Sequence, residues 1–266
     1  MIVIVWFIIV DVILDRYMNL KEQIEIFNLD KSGGIDIEDK DGKMSEAFRS
    51  IAETILSGYF MVSKNHSDSY VTVHPTCVEI YYHEEGEGED KVRDYIVYHR
   101  NSDNGQKKEA VFPLGVLHNH VSGIDLTFER MGKDNNPIRF SALIREFWVD
   151  KSHKTEESHE DYGEEHIKAY TETQPEKRST YLYEALYSQY SVFEGFSVQW
   201  VDGNEDEKKV IRSVKPRLNV AEFQFDKNHK LEKVPALLAN GVTTQNKKYK
   251  QCLRKWSYSI NEDKMK

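Results

Sequence analysis

"HPTCVEIYYHEEGEGED", residues 74–90, sets two chemical characters on one stretch of chain. Read as a strand, it sends Val78, Ile80 and Tyr82 to one face and Cys77, Glu79, Tyr81 and His83 to the other. The first face is that of a core. The second carries a carboxylate, a phenol and an imidazole in a row, which is either a solvated exterior or the wall of a site. The acid run that follows, 83–90, reads as a solvated loop that repels nucleic acid.

Upstream, "GKMSEAFRSIAETILSGYFMV" (42–62) has helical spacing from Met44 to Leu56 and changes to a strand pattern after Gly58. "NLKEQIEIF" (19–27) is a short helix. Between them "NLDKSGGIDIED" (28–39) fits an EF-hand frame, with Asn28, Asp30, Ser32, Gly33 and Asp39 at loop positions 1, 3, 5, 6 and 12. Position 1 is Asn and position 12 is Asp, so an Asp/Gly turn competes with a calcium loop. Downstream, strand patterns fall at 70–73, 77–82, 95–99, 115–120, 124–128 and 141–149, separated by turn-rich loops. The middle of the chain is therefore a sheet. Residues 150–178 are almost wholly polar and read as an insertion. "STYLYEALYSQY" (179–190) looks helical, and "FSVQWVDG" (196–203) and "VIRSVKPRLNVAEF" (210–223) look like strands. There is no internal repeat.

The 266 residues suit one large domain or two small ones, and 39% apolar with 12% aromatic content supports a folded body. The 30% charged residues give it a wet surface. The cysteines, Cys77 and Cys252, lie too far apart in sequence for a disulfide framework and have no CxxC partner for zinc, which points to a reducing, cytoplasmic setting. The net charge of −9 is unevenly spread: residues 208–266 carry 15 Lys and Arg against 5 Asp and Glu, while the rest of the chain carries 21 against 40. The basic end, with "NKKYKQCLRKWSYSI" (246–260), follows a phosphate backbone or is a solvated helix or frayed tail. The first seventeen residues are apolar but short for a bilayer span, interrupted by Asp11 and Asp15, and lack a basic leader. They read as a buried strand or as an extension upstream of Met18, and no membrane partner is expected. The segments are thus 1–17, an apolar extension; 18–43, a helix and an Asp/Gly-rich loop; 44–235, the main domain with its insertion at 150–178; and 236–266, a basic tail.

Two chemistries compete for the polar strand faces. His118 and His120 form an HxH pair that, with a third His and Glu79, could hold a metal in a β-barrel enzyme. Hydrogen-bonded strand histidines are the plainer reading. Alternatively, Glu79 is a general base that activates water, with aromatic and imidazole rings stacking a planar substrate; that mechanism needs no cofactor. A salt-bridged Glu79 on a half-exposed strand is its plainer counterpart.

Seven short segments, in order along residues 48–221, resemble the alkylpurine (3-methyladenine) DNA glycosylase family. They are "IAETILSGYFMV", "CVEIYY", "VYHRNS", "VSGIDLTF", "FSALIREF", "YLYEALYS" and "KPRLNV". The resemblance implies an α+β fold, a curved, mostly antiparallel sheet or open barrel with flanking helices, and a pocket for a base flipped from the duplex. It implies hydrolysis of an N-glycosidic bond, with Glu79 as the base, Tyr81 and His99 stacking the flipped base, and DNA as partner. Arg145, Arg212, Lys215 and Arg217 would meet the nucleic-acid backbone. Two departures stand against it. An alternative alignment puts Tyr81 where the catalytic Glu belongs, and Ser122, Gly123, Ile124 and Asp125 occupy the place of the family's intercalating wedge. A catalytically silent nucleic-acid- or partner-binding module is the other reading of the same scaffold.

Overall fold

A computed structural model describes residues 19–30, 40–88, 91–92, 94, 97, 100–101, 110–155, 175–204, 208–215, 217, 223–225, 231–233 and 255–260. In chain order these form helices α1 (Leu20–Asp30) and α2 (Lys40–Ser57) and strands β1 (Tyr59–Lys64), β2 (Tyr70–Glu84), β3 (Val116–His120) and β4 (Gly123–Thr127). Then come β5 (Arg130–Met131), β6 (Pro137–Asp150), a 3₁₀ turn (Ser179–Tyr181), helix α3 (Leu182–Tyr187), β7 (Phe196–Val201) and β8 (Ser213–Lys215). β9 (Phe223–Phe225), β10 (Leu231–Lys233) and β11 (Ser257–Ser259) complete the described elements.

β2 is one strand of fifteen residues where the sequence suggests two short ones. Pro75 cannot donate to a ladder and so looks like a strand end. Its neighbourhood is instead a pair of compensating irregularities: the register runs Pro75↔Phe147, Cys77↔Glu146, Val78↔Ile144. Thr76 is the extra residue on β2 and Arg145 the extra residue on β6. The extra residues shift the alternation in both strands, which is why Val71 and Val73 (odd) share a core with Val78, Ile80 and Tyr82 (even).

β2 and β6 are the spine of a nine-stranded sheet ordered β3-β4-β6-β2-β1-β7, with β5 beside β6 and β11 between β2 and β8. Every pair in it is antiparallel. β2 outruns its neighbours, so β1 pairs with its first half and β11 with its second. The molecule is α+β with a curled antiparallel sheet, as expected. The curl is visible in one cleft: side chains from β3 and β4 line it together with side chains from β1 and β7, although β6 and β2 separate these pairs in the strand order.

The concave side holds the helices. The α1 side chains Leu20, Ile24 and Phe27 and the α2 side chains Met44, Phe48, Ile51, Ile55 and Leu56 are buried against the sheet in one cluster. Phe48 is its aromatic hub, with ring centroids 4.9–5.8 Å from Phe27, Tyr82, Phe140 and Trp256. α1 thus joins the same core as the main domain. Residues 255–260, part of the stretch read as a tail, supply a strand of the sheet and bury Trp256 and Tyr258. The basic residues conceal that strand in the sequence because its three members, Ser-Tyr-Ser, show little apolar pattern.

Several expectations fall outside the described residues: the extension 1–17, most of the insertion (156–174), and the strand at 95–99 apart from Val97. Of the EF-hand frame, Asn28 to Asp30 end helix α1 and the remainder, 31–39, is likewise outside. The Asn28 Oδ1 accepts a 2.7 Å hydrogen bond from Arg130 Nε. Among the described residues no helix is long and apolar enough to cross a membrane.

Candidate functional site

The polar face of β2 is neither a solvated exterior nor an open wall. Glu79 is 1% exposed, and Tyr81, His83 and Glu85 are buried with it. Beside them on β6 stand Arg139, Ser141 and Arg145, and on β4 Asp125 and Thr127, all buried. Asp94, Val97 and Arg217 close over this face. Leu143, Val97 and Tyr81 form a small apolar plug within it, separate from the main core.

Burying charge is costly unless each ion has partners, and here the partners are internal. The Tyr81 hydroxyl donates to Glu79 Oε2 (2.9 Å), and Arg145 Nε lies 3.2 Å from the same oxygen. Arg145 reaches it because it is the extra residue of the β6 irregularity, and it also donates to Ser179 Oγ (3.3 Å). Arg217 donates through both terminal nitrogens to Asp94, 3.0 Å for the Nη2–Oδ1 arm, and to the Ile80 carbonyl (3.1 Å). Its guanidinium covers the Tyr81 ring at 4.5 Å. Burial opposes the Arg217 charge, but the Asp94 carboxylate outweighs it and the group is held more firmly protonated than usual. Burial, then the Glu79 charge and its hydrogen bond, push the Tyr81 phenol well above its ordinary value, so it stays a donor.

The layer continues from Asp94, whose N–H donates to His83 Nδ1 (3.0 Å). That fixes the ring proton of the neutral tautomer on Nε2, 3.4 Å from Glu85. Burial raises the Glu85 pKa, but hydrogen bonds from His83 and the Asn101 N–H, with the charge of Arg139, outweigh it and hold the carboxyl below its usual range. Arg139 in turn pairs with Glu85 and, at 3.0 Å, with Glu129. Across β4, Ser141 Oγ donates to Asp125 Oδ2 (3.3 Å), and His120 Nε2 faces Asp125 Oδ1 at 3.3 Å.

Glu79, Tyr81 and Arg145 are therefore brought together, while His99 lies outside the described residues. Arg217, expected at a nucleic-acid backbone, is 0% exposed and spent on Asp94, so it faces the interior. Arg145 is likewise turned inward. Arg212 is exposed and Lys215 half-buried on β8, leaving these two of the four at the surface. His118 and His120 share a face as HxH predicts, their rings 5.8 Å apart. His120 Nδ1 accepts from the Ser122 N–H (3.2 Å), and among the described residues no group of three His, Cys, Asp or Glu could hold a metal ion. Reasoning from sequence missed Asp94, Arg139 and Glu129. Arg139 was findable, since it alternates with Phe140, Ala142 and Ile144 just as Glu79 alternates with Val78 and Ile80.

Cys77 lies at the lower edge of this layer, with Sγ 3.8 Å from Ser257 Oγ. Burial, then the neighbouring Glu146 charge, push its thiol up to about 12. Its folded value lies above the unfolded one, so the buried thiol contributes stability in full below about pH 8.5 and loses it as the pH rises toward 12. Thiolate is the reactive form, and at pH 8 roughly one such thiol in ten thousand is ionised. In a Cys252→Ser chain, Cys77 is expected to resist iodoacetamide at pH 8 until denaturant is added; stoichiometric labelling of the native protein would contradict its burial.

The second feature is the cleft on the concave side. It has a volume of about 360 Å³ and is lined chiefly by Phe60, Leu117, Leu126, Phe128, Val198 and Trp200, with Lys21 and Asp202 also in its wall. Asp202 Oδ1 accepts from the Leu20 N–H (3.0 Å) and Trp200 Nε1 (3.1 Å), so one acid fixes both the start of α1 and the indole of the wall.

No family model, curated protein or solved structure matches this chain.

Proposed function

We propose that the chain is a non-catalytic binding module whose curled sheet takes a compact apolar molecule into the cleft between β3–β4 and β1–β7. The observation that carries this reading is the cleft itself: a preformed hollow of about 360 Å³, walled by apolar side chains from both limbs of the sheet. That volume lies within the range of small-molecule sites, and a mostly apolar wall with few polar groups is their usual composition. The ionic layer on the opposite face holds the sheet's two halves in register, and its carboxylates are directed at partners inside the protein.

The test uses N-phenyl-1-naphthylamine, a neutral fluorescent probe, titrated into the full chain. Saturable binding at one site, with energy transfer from Trp200 and loss of both in Leu117→Trp, is the expected result. Absence of saturable binding overturns the proposal. So does binding that appears only after removal of residues 1–17, which would make the chain's own apolar segment the occupant.

Hydrolysis of an N-glycosidic bond on an alkylpurine glycosylase-like scaffold is the second reading. What supports it is the contact of Glu79 with Tyr81 and Arg145, the Glu-x-Tyr pair of the resemblance held in one cluster. A general base must come within hydrogen-bond reach of its water and substrate, and here the residues over Glu79 would have to move. Release of free base from alkylated DNA by the wild type, abolished in Glu79→Gln, would establish this reading in place of the first.

A further inference from the structure

We propose that the convex face of the sheet, on the half that the ionic layer leaves uncovered, is a platform for a neutral, extended oligosaccharide. Four strands lie side by side there. Trp148 of β6 stands opposite His74 of β2, and the register that pairs Phe60 with Val73 puts Tyr59 of β1 beside His74. Three rings thus form one row across the strands. The Tyr59 and His74 rings are 5.0 Å apart and inclined by 30°, Trp148 is 39% exposed, and Tyr59 and His74 are half-buried. Two strand spacings separate Trp148 from Tyr59, so the aromatic surface runs for about 10 Å, on the scale of a disaccharide.

The next row supplies hydrogen-bonding groups. Asp150 stands opposite Thr72, and beyond Met61 comes the exposed Gln199. Thr72 Oγ1 lies 2.8 Å from His74 Nε2 and fixes that ring in the row. The Asp150 carboxyl, held below the usual range by the N–H and hydroxyl of Ser152, is an acceptor across the neutral pH range. A pyranose offers what this surface lacks: a flat C–H face to lie on the rings, and hydroxyls at its rim for the carboxylate and amide.

Charge and shape narrow the class. The exposed Asp150 carboxylate puts negative charge beside the rings, which works against a phosphate backbone and in favour of an uncharged ligand. His153 stacks on Tyr70 at one end of the surface, 4.5 Å between centroids. Rings set side by side on neighbouring strands match a ribbon-like glycan with equatorial linkages better than a coiled one.

The experiment is calorimetric titration of the full chain with cellohexaose, with maltohexaose and a dT12 oligonucleotide as comparisons. Cellohexaose is expected to bind, with affinity about tenfold weaker in Trp148→Ala and in Tyr59→Ala. Trp148 is the most exposed ring of the row, so its variant is expected to keep most of the parent's Tm, and Tyr59→Ala provides an independent reading of the row. Leu117→Trp, which blocks the concave cleft, is expected to leave cellohexaose binding unchanged, so the two sites succeed or fail separately. Absence of cellohexaose binding at millimolar concentration overturns the proposal. Equal affinity in both ring variants does the same, as does salt-sensitive binding of dT12 through Trp148 in place of the glycan.

Discussion

Replacing Arg217 with methionine is expected to cost the fold about 3–5 kcal/mol, the scale for removing one partner of a buried ion pair. Arg217 and Asp94 are both wholly buried, and the guanidinium makes two contacts to the carboxylate and a third to the Ile80 carbonyl. Methionine fills much of the same volume, so the loss reports on the stranded charge more than on a cavity. Asp94 would be left buried without its cationic partner in a region that also contains Glu79, with Tyr81 no longer covered by the guanidinium. Urea unfolding measures the difference. A second variant separates charge from shape: Arg217→Met combined with Asp94→Leu is expected to recover most of the loss, because apolar replacement of both partners removes the unpaired ion. A single variant within about 1 kcal/mol of the parent would mean that the pair is solvated, contrary to the burial seen here.

The same ion pair shows how far the sequence could be read. The alternation of residues 77–83 is legible, and it correctly assigns Val78, Ile80 and Tyr82 to the core. Period-two alternation separates two faces; it does not say whether the polar one meets water, a ligand or another layer of protein. That choice depends on residues distant in sequence. Asp94 is 123 positions from Arg217, and Arg139 is 54 from Glu85. Arg217, near the start of the basic end, reads as a phosphate contact because most arginines are exposed. Tertiary pairing with one acid overrides that expectation. The strand at 257–259 is hidden for a related reason: β2 is long enough to need a second neighbour on the same edge, a requirement visible only once β1 is seen to stop short. The helix limits, by contrast, depend on local signals, and the pattern from Met44 to Leu56 lies inside α2 as expected.

Phe48→Ala is expected to destabilise the protein by about 3–5 kcal/mol, the range for truncating a fully buried phenylalanine. Phe48 is 0% exposed and sits on the apolar stripe of α2 with Met44, Ile51, Ala52 and Ile55. Its position makes the effect more than local. Its ring touches Phe27 of α1, Tyr82 of β2, Phe140 of β6 and Trp256 just before β11, with the Trp256 indole edge-on at 88°. Truncation therefore removes the shared neighbour of both helices and of three strands that pack around α2. These aromatic partners are large and held by their own strands, so the hollow cannot easily close. Phe48→Leu keeps most of the volume and is expected to cost less, on the order of 1–1.5 kcal/mol. The contrast between the two variants identifies the cause: equal losses would implicate specific ring geometry, and a small loss in both would mean that α2 does not seat against the sheet. Because Trp256 loses its edge-on partner, the alanine variant is also expected to expose residues 255–260 first, detectable as amide exchange of the Ile80 N–H, which donates to the Trp256 carbonyl at 2.8 Å, ahead of exchange in the β2–β6 ladder.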